Sequence, residues 1–510
     1  MIFYFLVLLI GLNAAEGLEV LGQNYWKHKA IEDLKASLNV RHNTRTAKNV
    51  VIFIGDGMGP NTITASRIYM GGESSYVTWE RFPHMGAIKT YAADKQVPDS
   101  ANTATALFTG VKTNMGMLSV DPSVKFGDCH KSLLKQNHLI SVAKLAQDAG
   151  KSTGIVTTTR ITDATPAAMY SHSANRLWEC DSKLPPEAQM CKDIARQLIE
   201  NSPGKHFNVI MGGGRQQLKA NCSSLPGDPV VADSCTRNDG RDLIKEWAEE
   251  KQSDGLDYAV PNNTKTLLEV DIDNTDYLLG IFSNSHMPYD YVRDKSENGV
   301  PSLEQMTTTA LKILMKNKEE GFLLMVEGGR IDHAHHEGKA RVALNEVVEL
   351  NKAINSTISL LESSGIKDDT LIIVTSDHSH TLTISGYPER GNNILGLAGT
   401  SPIDGLGYTT LGYANGGKGN YHYEVVDGKV SREDPSKVDT TSYEYGAQAA
   451  VLLDMESHGG NDVFVYATGP YAHLFHCSHE QNYVAEVIKY ASKIGEYSED
   501  RNGARPSRGL

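Results

Sequence analysis

The sequence predicts an α/β fold with a central, mainly parallel sheet flanked by helices on both faces and a small inserted crown-like region. Short apolar runs carry the first half of that reading: NVVIFIG from Asn49, STGIVTTT, HFNVIMGGG, GFLLMVEGG, DTLIIVTSDHSH and DVFVYATG. Each is too uniformly apolar to alternate and ends in glycine or polar residues, as strands buried on both faces do. Between several of them lie amphipathic stretches with terminal glycines, HLISVAKLAQDAG and ARVALNEVVELNKAINSTISLLESSG, which read as helices. Strands alternating with helices make a parallel sheet covered on both sides. Polar residues gather just after the apolar runs: Asp56 after the first, Glu327 and Asp332 after GFLLMV, Asp377 and His378 after TLIIVT. Ligands of such sheets bind outside the strands' carboxyl ends.

Along the chain, MIFYFLVLLIGLNAAEG is apolar, too short for a comfortable membrane span, and followed by small residues at Ala14, Ala15 and Gly17. Residues 1–17 therefore read as a secretory signal peptide, although no positive charge precedes the apolar run; a short buried helix is the alternative. Residues 18–48 form an arm in which NYWKHKAIEDLKASLNV reads as an exposed amphipathic helix, available to a partner subunit. The main domain is placed at 49–495, with an insertion rich in Gly, Tyr, Asn and Asp at about 388–439. A smaller loop from Ala220 to Cys235 is expected to be stapled by Cys222 and Cys235. The tail 496–510 is polar and lacks the hydrophobic end of a lipid-anchor signal, so the chain reads as soluble and secreted. An even number of cysteines, 6, and the sequons at Asn221, Asn262 and Asn355 suit an oxidising route.

Against 49 basic side chains stand 62 acidic ones, a formal charge of −13, which argues against a nucleic-acid-binding surface. An anionic substrate would then need local positive charge, which bound metal cations supply. The segment EGGRIDHAHHEGKA offers candidates in Glu327, Asp332, His333 and His336. Asp332 and His336 are four apart, so one helical turn puts a carboxylate and an imidazole on one face, a pair that suits zinc; a solvated polar helix start is the bland alternative. SDHSH adds Asp377, His378 and His380. His458 in ESHGGND would complete a site of two histidines and one carboxylate, though alone it is as easily a structural hydrogen-bonding residue. In VPDSANTATA, Ser100 has two readings: an N-cap of a helix opening at Ala101, or a nucleophile placed where helix amides favour an incoming anion.

GDGMG, VPDSANTATA, TTTRITDATPA, Asn175-Arg176, VEGGRIDHAHHE, SDHSHT and SHGGNDVFVYATGP, in this order from about Asn49 to Ile488, resemble the alkaline phosphatases of animals. The resemblance implies an alkaline-phosphatase-like fold and a secreted homodimer that hydrolyses small phosphate monoesters of broad specificity. It implies two Zn2+ and one Mg2+ per subunit: one zinc on Asp332, His336 and His458, the other on Asp56, Asp377 and His378 with Ser100, and magnesium on Asp56, Thr165 and Glu327. Ser100 becomes the nucleophile, forming a phosphoserine and keeping capping as a compatible second role, and Arg176 a bidentate clamp on phosphate. Cys129 and Cys191 match a bridge of the family, which leaves Cys180 with Cys477 as the remainder. Asp163 and Thr165 depart from the animal pattern toward the bacterial one, whereas His333 follows the animal one. Asp163 is expected to favour hydrated magnesium over a third zinc. Calcium is not carried over, because Ser283 stands where vertebrate members have a glutamate. The rivals are a related phosphodiesterase or sulfatase, which the Asp99-Ser100-Ala101 and Arg176 pattern disfavours, and a binding protein on the same scaffold.

Overall fold

A computed structural model describes residues 22–502 apart from 226, 232 and 233. The signal-peptide reading of residues 1–17 and most of the polar tail lie outside the described residues. The centre is a ten-stranded sheet. In chain order its strands are β1 (Asn49–Gly55), β2 (His84–Lys89), β3 (Ser152–Arg160), β4 (Val209–Gly213), β5 (Tyr258–Ala259), β6 (Tyr277–Ile281), β7 (Phe322–Gly328), β8 (Thr370–Thr375), β9 (Val463–Thr468) and β10 (Ser478–Glu480). They lie side by side as β10-β2-β9-β8-β1-β7-β3-β4-β6-β5. From β8 to β5 every neighbouring pair is parallel, and β9 alone runs antiparallel to both its neighbours.

β1 shows why an unbroken apolar run becomes a central strand. All its residues are buried, with Val50, Ile52 and Ile54 in one hydrophobic cluster and Val51 and Phe53 in the cluster on the opposite face. Alternate side chains point to opposite faces of a strand, so a two-sided core demands apolar residues at every position. The amphipathic stretch after His336 forms the helix Ala340–Ser363, burying Val342, Val347, Leu350 and Ile354. These join the Val51 and Phe53 cluster. On the other face the helix Tyr483–Ser492 buries Val484, Val487 and Ile488, which join the Ile52 cluster.

The arm contains the helix Gln23–Leu38, which has no buried residue. Tyr25, Trp26, Ile31, Leu34 and Leu38 are exposed. The Gly-rich stretch folds into two short hairpin-like ladders, Leu397–Thr400 with Gly407–Thr409 and Tyr423–Val426 with Lys429–Arg432. They sit beside a three-stranded sheet of Leu382–Ile384, Leu411–Gly416 and Ala449–Leu452.

The cysteines correct one expectation. Cys129 is bonded to Cys191, but Cys235 pairs with Cys180 rather than Cys222. Cys222 and Cys477 are free, so the remainder pair Cys180 with Cys477 fails too. Proximity in sequence did not decide the partner; hydrogen bonds from one loop's amides to the other's side chains accompany the observed pairing. The Asp181 carboxylate accepts the Asn238 and Asp239 amides at 2.9 Å, and the Thr236 amide reaches Ser182 Oγ at 3.4 Å. These lay the two segments alongside each other with the Cys180 and Cys235 Cα atoms 6.1 Å apart, within bonding range.

Candidate active site

Four adjacent parallel strands, β8, β1, β7 and β3, end at one place. Asp56 follows β1, Glu327 is the penultimate residue of β7, Asp377 and His378 follow β8, and Asp163 and Thr165 follow β3. The helix Arg330–His336 places Asp332 and His336 one turn apart. His458 comes from the short strand His458–Gly459, paired antiparallel with Ser379–His380 so that His458 and His380 are register partners. Gly57 keeps the floor open: its φ is +67°, and an added Cβ would lie 2.4 Å from the His380 ring.

Ser100 opens the buried helix Ser100–Thr109, but it is not the cap. Asp99 is: its carboxylate accepts the Asn102 amide at 3.2 Å while Asn102 Oδ1 accepts the Asp99 amide at 2.8 Å. The capping role expected of Ser100 therefore belongs to Asp99, because only the residue before the first turn has the extended backbone that turns a side chain back onto those amides. Ser100, 3 % exposed, is left with its Oγ 3.2 Å from His378 Nε2. His378 Nε2 in turn lies 3.4 Å from Asp56 Oδ1 and 3.2 Å from Asp377 Oδ2. Asp377 is held by its Oδ1, which accepts the Gly57 and His378 amides at 3.0 and 2.7 Å.

Next to this group a second set converges. His336 Nδ1 donates to the Glu456 carbonyl at 2.5 Å and His458 Nδ1 to the Pro98 carbonyl at 2.8 Å. Both imidazoles therefore present Nε2 lone pairs inward, 3.0 Å from each other and 3.4 and 3.3 Å from Asp332. Two lone pairs and a carboxylate facing one point repel unless a cation sits among them. The ligand atoms of Asp332, His336, His380 and His458 lie within 4.8 Å of one another, as do those of Asp56, Asp332 and His378. His380, however, has both nitrogens engaged, Nε2 with Asp332 Oδ1 at 2.6 Å and Nδ1 with Glu456.

The third set lies between Asp56, Thr165 and Glu327. Asp56 Oδ1 and Thr165 Oγ1 are buried with no hydrogen-bond partner among the described residues. Thr165 is still close enough to Glu327 to act on its carboxylate. Glu327 Oε2 is steadied by Thr157 Oγ1 at 2.5 Å and Thr159 Oγ1 at 3.3 Å. Burial, reinforced by the charges of Asp377, Asp332 and Glu327, pushes Asp56 well above the carboxylate range. Burial also lifts Glu327 to about 8, against the pull of the Thr157 bond. Oxygen atoms without donors and carboxyls this reluctant to ionise fit a hard cation.

Arg176 spans two acids, with Nη1 3.1 Å from Asp99 Oδ2 and Nη2 3.0 Å from Asp163 Oδ1. Its guanidinium plane is thereby fixed on Asp99, the residue immediately before Ser100. Burial raises Asp163, but Arg160 and Arg176 outweigh it and hold it at about 2. Asp163, His286 and His333 also converge within 4.8 Å. Guanidinium groups fill that space: Arg160 bonds His286, and Arg330 Nη1 reaches His333 Nδ1 at 2.7 Å. This cluster is poor ground for a cation.

Every sequence-predicted ligand, together with Ser100 and Arg176, thus lies in one neighbourhood, whereas Cys129, Cys191 and the exposed Asn221, Asn262 and Asn355 lie elsewhere on the chain. Sequence reasoning assigned no role to His286, Glu456, Thr157 or Thr159. For Glu456 the signal was there, two residues before His458 in ESH.

Comparison with known proteins agrees in kind. A family model described as alkaline phosphatase matches residues 47–494. The tissue-nonspecific isozyme of alkaline phosphatase from Homo sapiens is 45 % identical over 509 residues, covering 97 % of this chain and 94 % of that protein. The alkaline phosphatase of Gadus morhua is 43 % identical over 485 residues, covering 92 % and 97 %. Among solved structures, a histidine-to-aspartate mutant of the TAB5 alkaline phosphatase with magnesium bound in its M3 site superposes with a TM-score of 0.58 at 22 % identity, covering 89 % of this chain and 100 % of that one. The last likeness speaks to the fold alone.

Proposed function

The chain belongs to the alkaline phosphatase family and is a phosphomonoester hydrolase; from that premise we propose that Ser100 is its nucleophile, working with two zinc ions and one magnesium ion. One observation carries the proposal: a buried serine hydroxyl at a helix N-terminus lies 3.2 Å from His378 Nε2, where two sets of candidate metal ligands converge. Asp332, His336 and His458 would hold one zinc, Asp56, Asp377 and His378 the other, and Asp56, Thr165 and Glu327 the magnesium. When bound, these cations supply charge that lowers the pKa of a hydroxyl and neutralises a departing oxygen.

The protein's own groups do the rest. Arg176, its plane fixed by Asp99 and Asp163, offers paired N–H donors to two phosphate oxygens. The helix N-terminus at Ser100 adds favourable dipole. Ser100 gives its hydroxyl proton to water and its Oγ attacks phosphorus; the bond to the leaving oxygen breaks, and the leaving group departs as an alkoxide with that electron pair and takes a proton from water to become the alcohol. Water then attacks the phosphoserine, and the serine oxygen leaves and regains its proton, releasing inorganic phosphate. Asp163, held charged by two guanidiniums, favours a hydrated magnesium in the third site.

Secretion and dimerisation belong to the same proposal. Two disulfides suit an oxidising compartment, and no helix among the described residues is long and apolar enough to cross a membrane. The exposed apolar face of Gln23–Leu38 suits a second copy of the chain. The test is hydrolysis of a chromogenic aryl phosphate before and after chelation, with metal analysis of the active protein. Turnover indifferent to chelator would overturn the metal reading, and a third tightly bound zinc would overturn the magnesium assignment.

A further inference from the structure

Glu456 has no place in the ligand sets above, yet it is completely buried. A carboxylate at that depth is costly unless its oxygens are fully used. Its Oε1 accepts the Thr381 amide at 2.7 Å and the Thr381 hydroxyl at 2.6 Å. Its Oε2 takes His380 Nδ1. His380 then reaches Asp332 Oδ1 with Nε2 at 2.6 Å, leaving Asp332 Oδ2 toward His336 at 3.4 Å. The Glu456 carbonyl separately receives His336 Nδ1.

We propose that Glu456 is a positioning residue for the first zinc site, acting through His380 on Asp332. It fixes which oxygen of Asp332 remains free and keeps His380 out of the ligand set. The chain Glu456–His380–Asp332 is thus a carboxylate-to-histidine-to-carboxylate relay that ends on a residue that would hold the zinc. Such outer partners fix the orientation of the ligand they touch, and their loss typically weakens metal binding by about 10- to 100-fold. The surroundings hold the relay rigid. The His380–His458 strand pairing ties its middle member to a proposed zinc ligand, and Gly57 admits the His380 ring. With Glu456 cut back, His380 Nδ1 loses its carboxylate partner while its ring stays among the four side chains that converge within 4.8 Å.

The inference rests on the metal reading of the site, and its test separates the two. Zinc affinity and release into a chromophoric chelator are measured on the full-length protein for wild type, Glu456→Gln, His380→Gln and the double variant. The absorption spectrum of cobalt in the first site is recorded alongside, with the melting temperature of each metal-free form. The expected result is about 10- to 100-fold weaker binding of one zinc in Glu456→Gln, with the other retained. The cobalt spectrum should change, and the double variant should bind no worse than His380→Gln, since both act through one chain. Wild-type zinc affinity and spectrum in Glu456→Gln would overturn the proposal while leaving the metal site standing. So would losses that add in the double variant, or equal loss of both zincs together with a lower metal-free melting temperature. A wild-type protein that binds no zinc would remove the site and the proposal together.

Discussion

Replacing Arg176 by lysine isolates what the guanidinium contributes, because charge is kept and only the fork is lost. In the structure that fork is held from both sides, by Asp99 at 3.1 Å and Asp163 at 3.0 Å, with a quarter of the side chain exposed. Lysine can reach one of those acids, not both, and offers a phosphate one direction of charge instead of two parallel N–H bonds. A hydrogen bond involving a charged group is worth about 1.5–3 kcal/mol. Losing one of the pair therefore lowers kcat/KM by about 10- to 150-fold. The assay is steady-state hydrolysis of an aryl phosphate, with inhibition by inorganic phosphate measured in parallel, and both constants should weaken together. If Arg176→Lys left the phosphate inhibition constant within about twofold and kcat/KM nearly unchanged, Arg176 would not be the clamp.

Glu346 offers a prediction in pH. It is buried, accepts the Asp290 amide at 2.8 Å, and is raised by burial from 4.5 to about 7, against the pull of that bond and of Arg330. Because the folded pKa is the higher one, its contribution to stability is complete below about 4.5 and is lost as pH rises through about 7. The loss is on the order of 3 kcal/mol. Glu346→Gln should flatten that decline in the melting temperature between pH 5 and pH 8, and an unchanged slope would sink the assignment. For the cysteines, peptide mapping without reduction should find Cys129 joined to Cys191 and Cys180 to Cys235, with thiols at Cys222 and Cys477. Cys180→Ser should cost about 2–4 kcal/mol of stability for the 55-residue separation the bridge closes. A peptide joining Cys222 to Cys235 would refute the pairing.

The strands at the centre of the sheet were legible because burial on both faces leaves an unbroken apolar run, as in β1, β7 and β8. β2 was not: its burial alternates irregularly, it lies toward the edge, and HMGAIK carries histidine and lysine in the run. β10 and β5 are too short to leave a period. The ligand residues were legible because metal chemistry confines them to a few residue types placed just after strands or a helical turn apart. Ser100 as cap was misread by one residue, since sequence shows the capping pair Asp99 and Asn102 and the serine equally. The cysteine partners were invisible because their approach depends on loop-to-loop hydrogen bonds such as those of Asp181. Glu456 is a similar case: only its burial and the His380 contact reveal that it is more than a neighbour of His458.

Acid-quenching the enzyme during turnover of a phosphate monoester and mapping its peptides by mass spectrometry bears most directly on the central role given to Ser100. Phosphate should be found covalently on Ser100 and nowhere else, and Ser100→Ala should lose both the adduct and turnover, by on the order of 10⁴-fold or more. Phosphate on another residue, or an alanine variant that still turns over at the wild-type rate, would contradict it.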